Sequence, residues 1–194
     1  MSTTRNLLPL LTHLQVLKQL PRTGWLLAGV AQPESVAEHS FVTCWVALLL
    51  AEAINESYQE QGLTQPLDVA KVAQLALVHD VAESMVTDLP KRSTELLGKT
   101  VKYQAEAAAM RQIFQEMPNS AAYLAHWQEY VDDATPEARL VHDADKLEMI
   151  HQALCYEQAG QRNLGEFWQD HQWHYPVSRD LFAALCRFRF NLNL

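Results

Sequence analysis

Glycine and proline are scarce in this chain, 6 and 8 of 194 residues, which argues against a loop-rich or all-β fold and favours helices. Cysteine is scarcer still. Cys44, Cys155 and Cys186 are odd in number, far apart and set in apolar segments (TCWVALLL, QALCYEQ, ALCRFRF), so they predict reduced, buried thiols in a cytoplasmic protein rather than a disulfide framework. Net positive charge is also missing. The formal charge is −8 and the pI near 5.4, so no long-range field draws in a nucleic acid polymer, and any anionic substrate needs a local cation. No apolar run reaches the roughly 18 residues of a membrane span. The first residues, MSTTRNLLPLLTHLQ, lack a basic stretch followed by a small-residue cleavage site, so no membrane association or export is expected. What is present is a globular balance, 48% hydrophobic with 20% charged residues, at a length that fits one domain over 1–194.

Hydrophobic spacing places the helices. Leu7, Leu10, Leu11, Leu14, Leu17 and Leu20 recur at three and four, predicting an amphipathic helix over 6–20 that Pro21 ends. Residues 21–34 (PRTGWLLAGVAQPE) have no sustained period and read as an ordered loop placed to touch ligand. Ser35 and Glu38 form a capping box for a helix to about residue 58, putting His39 in its first turn. A third, very apolar helix follows in LDVAKVAQLALVHDVAE, along Val69, Val72, Ala73, Ala76 and Leu77, with His79 and Asp80 near its end. Further helices are predicted over 95–117, then to about 130, then from Pro136 to Gly160 with a core stripe of Leu140, Ala144, Leu147 and Leu154. A last helix spans 178–190.

Buried charge is expensive unless it is paired or bound to a metal, so His79-Asp80 at the end of the most apolar helix is the informative feature. Glu83, four residues after His79, returns to the same helical face. A second pair, His142-Asp143, reads as solvated and structurally neutral. Residues 143 and 145 lie about 200° apart on a helix, so only one can face a given site. His171 and His174 read as surface residues, and Glu52, Glu56 and Glu60 as a solvated face.

Four motifs stand in order: a His after a capped helix start (PESVAEHS), a His-Asp pair 40 residues later (LVHDVAES), a DLP turn (TDLPK) and an Asp in a late helix (DADKLEMI). Together they resemble the HD-domain metal phosphohydrolases. PRTGW ahead of the first His, with AES and DLP after the pair, is similar to the HD-domain 5′-deoxynucleotidases. The resemblance covers about 14–156. It implies an all-α, single HD-domain bundle of about seven helices, with 160–194 as a helical extension. It makes His39, His79, Asp80 and Asp145 the ligands of one divalent cation, choosing Asp145 over Asp143 because the family's Asp stands four residues before an apolar Met-Ile pair. It assigns catalysis to Glu83 with Asp80, and substrate contacts to Arg22, Trp25 and Asp88. Arg22 and Trp25 are adjacent in the bacterial subgroup but separated here by Thr23 and Gly24, so Lys91 is an alternative phosphate contact.

The chemistry of these residues is consistent with that role. Two imidazoles and two carboxylates suit Mn²⁺, Co²⁺, Fe²⁺, Ni²⁺ or Zn²⁺ and leave positions for water and substrate. Two carboxylates cancel the charge of one divalent ion, so a phosphate dianion requires an extra cation such as Arg22. Glu83 is suited to accept a proton from the attacking water, Asp88 to bond a 3′-hydroxyl and crowd out a 2′-hydroxyl, and Trp25 to wall the ligand. The expected substrate is a small nucleotide, a deoxyribonucleoside 5′-monophosphate. Hydrolysis of another nucleotide or a phosphodiester, and a degenerate nucleotide-binding module without turnover, are the alternatives. A homodimer is expected from the resemblance and from an aromatic tail, Phe167, Trp168, Trp173 and Tyr175, as an apolar patch.

Overall fold

In the computed structural model, which describes residues 3–192, the chain is all-α. Its helices are α1 (Thr3–Leu17), α2 (Thr23–Leu27), α3 (Val36–Glu56), α4 (Val69–Val78), α5 (Glu83–Val86), α6 (Lys91–Leu97), α7 (Lys99–Phe114), α8 (Ser120–Val131), α9 (Pro136–Gln158) and α10 (Pro176–Asn191), with a 3-10 turn at Gly165–Trp168.

Local chemistry explains most boundaries. The Ser35 backbone N–H donates to the Glu38 carboxylate at 2.7 Å and the Glu38 N–H donates to the Ser35 hydroxyl at 3.2 Å, so both members of the capping box satisfy an orphan donor at the start of α3. The Ser35 backbone N–H is also the main reason the Glu38 carboxyl titrates below its ordinary range. Thr135 caps α9 by accepting from the Ala138 N–H, with proline at the first helical position, where its missing donor costs nothing.

Two expectations are corrected. The single helix over 95–117 is two helices, because Gly98 takes φ +86 and separates α6 from α7, a conformation that no helix interior accommodates. The loop over 21–34 contains the one-turn α2, and its ends are held together by an antiparallel bridge between Pro21 and Ser35, with the Arg22 N–H on the Glu34 carbonyl at 3.0 Å.

The chain divides into two compact units, one comprising the chain up to Glu38 with Leu77–Gln128, the other His39–Ala76 with the chain from Glu129 onward. In the first unit α1 packs on α5 and α7, and α7 also packs on α5 and α6. Leu17, Val81, Ala82, Ala107, Met110, Ile113 and Phe114 are buried there. In the second, Ala47, Leu50, Ala51 and Ile54 of α3 share one core with Val72, Leu75 and Ala76 of α4 and Leu140, Ala144 and Leu147 of α9. Each fully buried leucine of this core contributes about 1.5–3 kcal/mol.

The predicted α9 stripe is buried throughout, whereas Leu77 of the very apolar α4 is 58% exposed. By length and composition α3 could cross a membrane, but it carries the buried His39 and lends its inner face to the second unit's core, as the core helix of a globular unit does. The three cysteines are free but half-buried rather than fully buried.

The C-terminal segment departs from expectation in a consistent direction. Trp168 and Tyr175 are buried at 8% and 4% exposure, and the Tyr175 hydroxyl donates to the Pro136 carbonyl at 2.7 Å. The aromatic tail is therefore packing material and not an exposed patch. His171 likewise is half-buried, its ring donating to the Phe167 carbonyl and resting against Trp173 and Phe182.

Candidate metal centre

Helix geometry in the second unit sets the first group of site residues. His39, in the first turn of α3, is fully buried. Its Nε2 lies 3.1 Å from Asp145 Oδ1 and 3.5 Å from the Thr43 hydroxyl, and its Nδ1 lies 2.5 Å from Glu148 Oε2. Asp145 keeps 30% of its side chain exposed, and its other oxygen accepts from the Tyr130 hydroxyl at 3.5 Å. Asp143, two residues earlier, points elsewhere. It is fully buried and accepts the backbone N–H groups of His174 at 3.0 Å and Tyr175 at 3.2 Å. The expectation that His142-Asp143 is a solvated pair is thus corrected. Asp143 ties the entry of α10 to α9, and His142 is packed against Tyr130, where burial pulls its pKa down.

A different construction holds the second group, in the first unit. α4 ends at Val78, and His79 and Asp80 occupy the turn that follows. His79 Nε2 and Arg22 Nη1 approach the same Asp80 oxygen, at 3.1 and 3.2 Å. Glu83 begins α5 and is 5% exposed. Among the described residues its Oε2 has no hydrogen-bond partner. Burial first, then the neighbouring carboxylates of Asp80 and Asp88, push its pKa well above the ordinary carboxylate range, against the pull of Arg22 and Lys102. Thr87 takes φ +67 in the turn that leads into Asp88, a strained backbone for a β-branched residue. Asp88, 8% exposed, accepts the Thr23 N–H at 2.5 Å, and the Thr23 hydroxyl donates to the Asp88 carbonyl at 2.9 Å. Trp25 is buried at 2% and its indole N–H donates to Glu34 at 2.9 Å. It braces the 21–34 segment and offers little face to a ligand. Lys91 stands exposed at the start of α6.

Sequence reasoning missed three contributors. Lys102 of α7 is paired with Glu106 at 3.5 Å. Burial opposes its charge, yet Glu106, Glu83 and Asp80 together hold its ammonium pKa above the ordinary value. Thr23, read as an interruption between Arg22 and Trp25, is the anchor of Asp88. Glu148 is the partner of His39. A signal for it existed, since a charged residue eight positions after Leu140 and four after Ala144 falls on the core stripe of α9.

The donor chemistry fits a divalent cation. Each His–Asp pair brings an imidazole Nε2 and a carboxylate oxygen within 3.1 Å of one another, a mixed nitrogen and oxygen donor set that suits a divalent transition metal. Each pair joins an imidazole donor to a carboxylate donor.

Fold and residues together define the class. The HD domain family matches residues 14–181, and the chain belongs to that family, whose membership implies a divalent metal. Among its relatives, a 5′-deoxynucleotidase of Dictyostelium discoideum (HDDC2) is 39% identical over 90% of this chain and 85% of its own length. The human 5′-deoxynucleotidase HDDC2 is 34% identical over 79% and 69%. The crystal structure of the PH0347 protein of Pyrococcus horikoshii superposes with a TM-score of 0.77 at 36% identity, covering 92% of this chain and 97% of that one.

Proposed function

We propose that the protein is a metal-dependent phosphohydrolase that cleaves deoxyribonucleoside 5′-monophosphates to deoxynucleoside and phosphate, within a single HD domain. One divalent transition-metal cation would be held by His39, His79, Asp80 and Asp145. The observation that carries this reading is Glu83, a buried carboxyl group with an unpartnered oxygen and a raised pKa. Such a group costs stability, and proteins retain the cost where the group handles a proton. The relatives named 5′-deoxynucleotidases support the substrate.

The cation, when bound, supplies Lewis acidity to the attacking water and to a phosphoryl oxygen. Glu83 takes the proton that the water gives up, its raised proton affinity suiting it to the task. Arg22, held beside Asp80 at 3.2 Å, binds the phosphate dianion through its forked donors, with the exposed Lys91 as the alternative phosphate contact. Asp88 accepts the 3′-hydroxyl and crowds out a 2′-hydroxyl. Because the same carboxylate accepts the Thr23 N–H, sugar and phosphate recognition are joined through the residue next to Arg22.

Phosphate release from a panel of deoxy and ribo monophosphates, with Mn²⁺ or Co²⁺ and beside Asp80→Ala, tests the reading. Deoxy substrates are expected to be cleaved on the order of 100-fold faster than ribo ones, and chelation is expected to abolish release. Asp80→Ala should lose roughly 1,000-fold or more, about 4 kcal/mol of lost charge stabilisation. Equal release by the variant removes the mechanism; equal rates on ribo substrates remove the role of Asp88.

The reduced cysteines support a cytoplasmic setting. A homodimer is supported by an apolar stripe on α3, where Phe41, Trp45 and Leu49 recur at four-residue spacing and are 63%, 54% and 60% exposed. A monomer mass by light scattering at micromolar concentration would remove the dimer.

A further inference from the structure

Glu148 has no place in the reaction described above, yet it is a carboxylate 2% exposed on the core-facing side of α9. A buried carboxylate demands a partner. Its partner is His39 Nδ1 at 2.5 Å, while the opposite ring nitrogen faces Asp145 Oδ1 at 3.1 Å. Asp145 and Glu148 are three residues apart on α9, one helical turn, so a single helix face presents two carboxylates and the His39 ring stands between them. The two carboxylates differ in access: Asp145 retains 30% side-chain exposure, whereas Glu148 retains 2%. The outer one is open to a ligand, and the inner one is sealed against the imidazole.

We propose that Glu148 is a positioning residue that fixes the tautomer and the rotation of His39, keeping the proton on Nδ1 and the Nε2 lone pair turned to the cation. The inference rests on the reading of His39 as a metal ligand and deepens it. An imidazole that binds a cation through Nε2 must carry its proton on Nδ1, and the acceptor for that proton decides both which nitrogen is protonated and where the ring points. Thr43, 3.5 Å from Nε2 and one turn along α3, is too distant to hold the ring by itself. Without Glu148 the Nδ1 proton loses its 2.5 Å carboxylate acceptor, so the balance of tautomers and ring orientations shifts and a smaller part of the protein presents Nε2. Metal affinity falls by that fraction and by the loss of ligand basicity, which for such partners amounts to about 10–100-fold.

The test uses metal-free full-length protein titrated with Co²⁺ in competition with a chelating dye, together with the visible absorption of the Co²⁺ form and thermal unfolding in chelator. Glu148→Gln keeps the shape and a weaker acceptor. It is expected to bind Co²⁺ about 10–100-fold more weakly with a shifted visible spectrum, while its unfolding in chelator stays close to wild type. Affinity within about twofold of wild type in a folded Glu148→Gln overturns the proposal. Should that variant not fold, Glu148→Asp keeps the charge and withdraws the acceptor by one methylene. Weakened Co²⁺ binding then supports the proposal and wild-type binding overturns it. The wild type serves as the separate control for the underlying reading. If it fails to take up one equivalent of Co²⁺, the assignment of His39 as a ligand falls, and the role of Glu148 falls with it.

Discussion

The two groups of site residues are built on opposite principles. In the second unit His39, Asp145 and Glu148 project from the long helices α3 and α9, whose inner faces lie in one apolar core. Both ring nitrogens of His39 face a carboxylate there, and the backbone is regular. In the first unit His79, Asp80, Glu83 and Asp88 sit on turns and on one-turn helices, next to a threonine with φ +67 and around a carboxyl group with one oxygen unpartnered among the described residues. The difference teaches a division of labour. Packed helices hold the proposed ligands in fixed positions at little cost, whereas turns carry the carboxyl group proposed to handle the proton.

The comparison breaks most visibly at Glu83. Glu83→Gln is expected to lower kcat about 100- to 10,000-fold, the usual worth of a positioned base, while Co²⁺ stoichiometry is retained. Its unfolding temperature should be unchanged or higher, because the substitution removes a buried carboxyl group whose Oε2 has no hydrogen-bond partner among the described residues. Steady-state kinetics beside calorimetry decide the matter. A variant that loses stability but not turnover would make Glu83 structural and erase the contrast.

Asp143 is the opposite case, a buried carboxylate whose work is to hold backbone. Asp143→Ala leaves the His174 and Tyr175 N–H groups without their acceptor and is expected to cost about 2–4 kcal/mol in denaturant unfolding. One equivalent of Co²⁺ should still bind, because the ligand proposed on that helix is Asp145. Loss of the metal with full stability would reverse the roles of the two aspartates.

The smallest effect sharpens the picture of the second unit's supporting network. Burial alone would push the Glu137 carboxyl up, yet the backbone N–H groups of Asp68 and Glu137 itself and the Lys71 ammonium hold it below its ordinary value of 4.5. A carboxyl depressed in the folded state stabilises above the unfolded value, and that contribution is lost as pH falls through the folded one. Glu137→Gln is therefore expected to flatten the decline of stability below about pH 4.5. Thermal melts in chelator between about pH 3 and 6 would show it, and an unchanged acid limb would mean the Lys71 contact is fully screened.

Much of this molecule was legible residue by residue. Ser35 and Glu38 announce the start of α3, Thr135 and Pro136 the start of α9, and the spacing of Leu140, Ala144, Leu147 and Leu154 its buried face, because each signal depends on neighbours within one or two helical turns. The same reasoning failed where a single glycine, Gly98, divided a run of good helix formers, and where α2 and α5 proved too short to show a period.

By itself, then, the sequence determined that this is an all-helical chain, because capping and periodicity are local properties; it singled out His79, Asp80 and Glu83 at the end of its most apolar helix, and the resemblance of its motifs to the HD family added His39 and Asp145. Only the tertiary structure decided that Asp143 serves backbone amides 31 residues away in sequence, that Thr23 anchors Asp88, that Trp25 is buried, and that Glu148 lies against His39 across 109 positions. Contacts between distant segments depend on how helices pack, and the hydrophobic pattern that drives packing fixes which face is buried without naming the polar groups that will meet there.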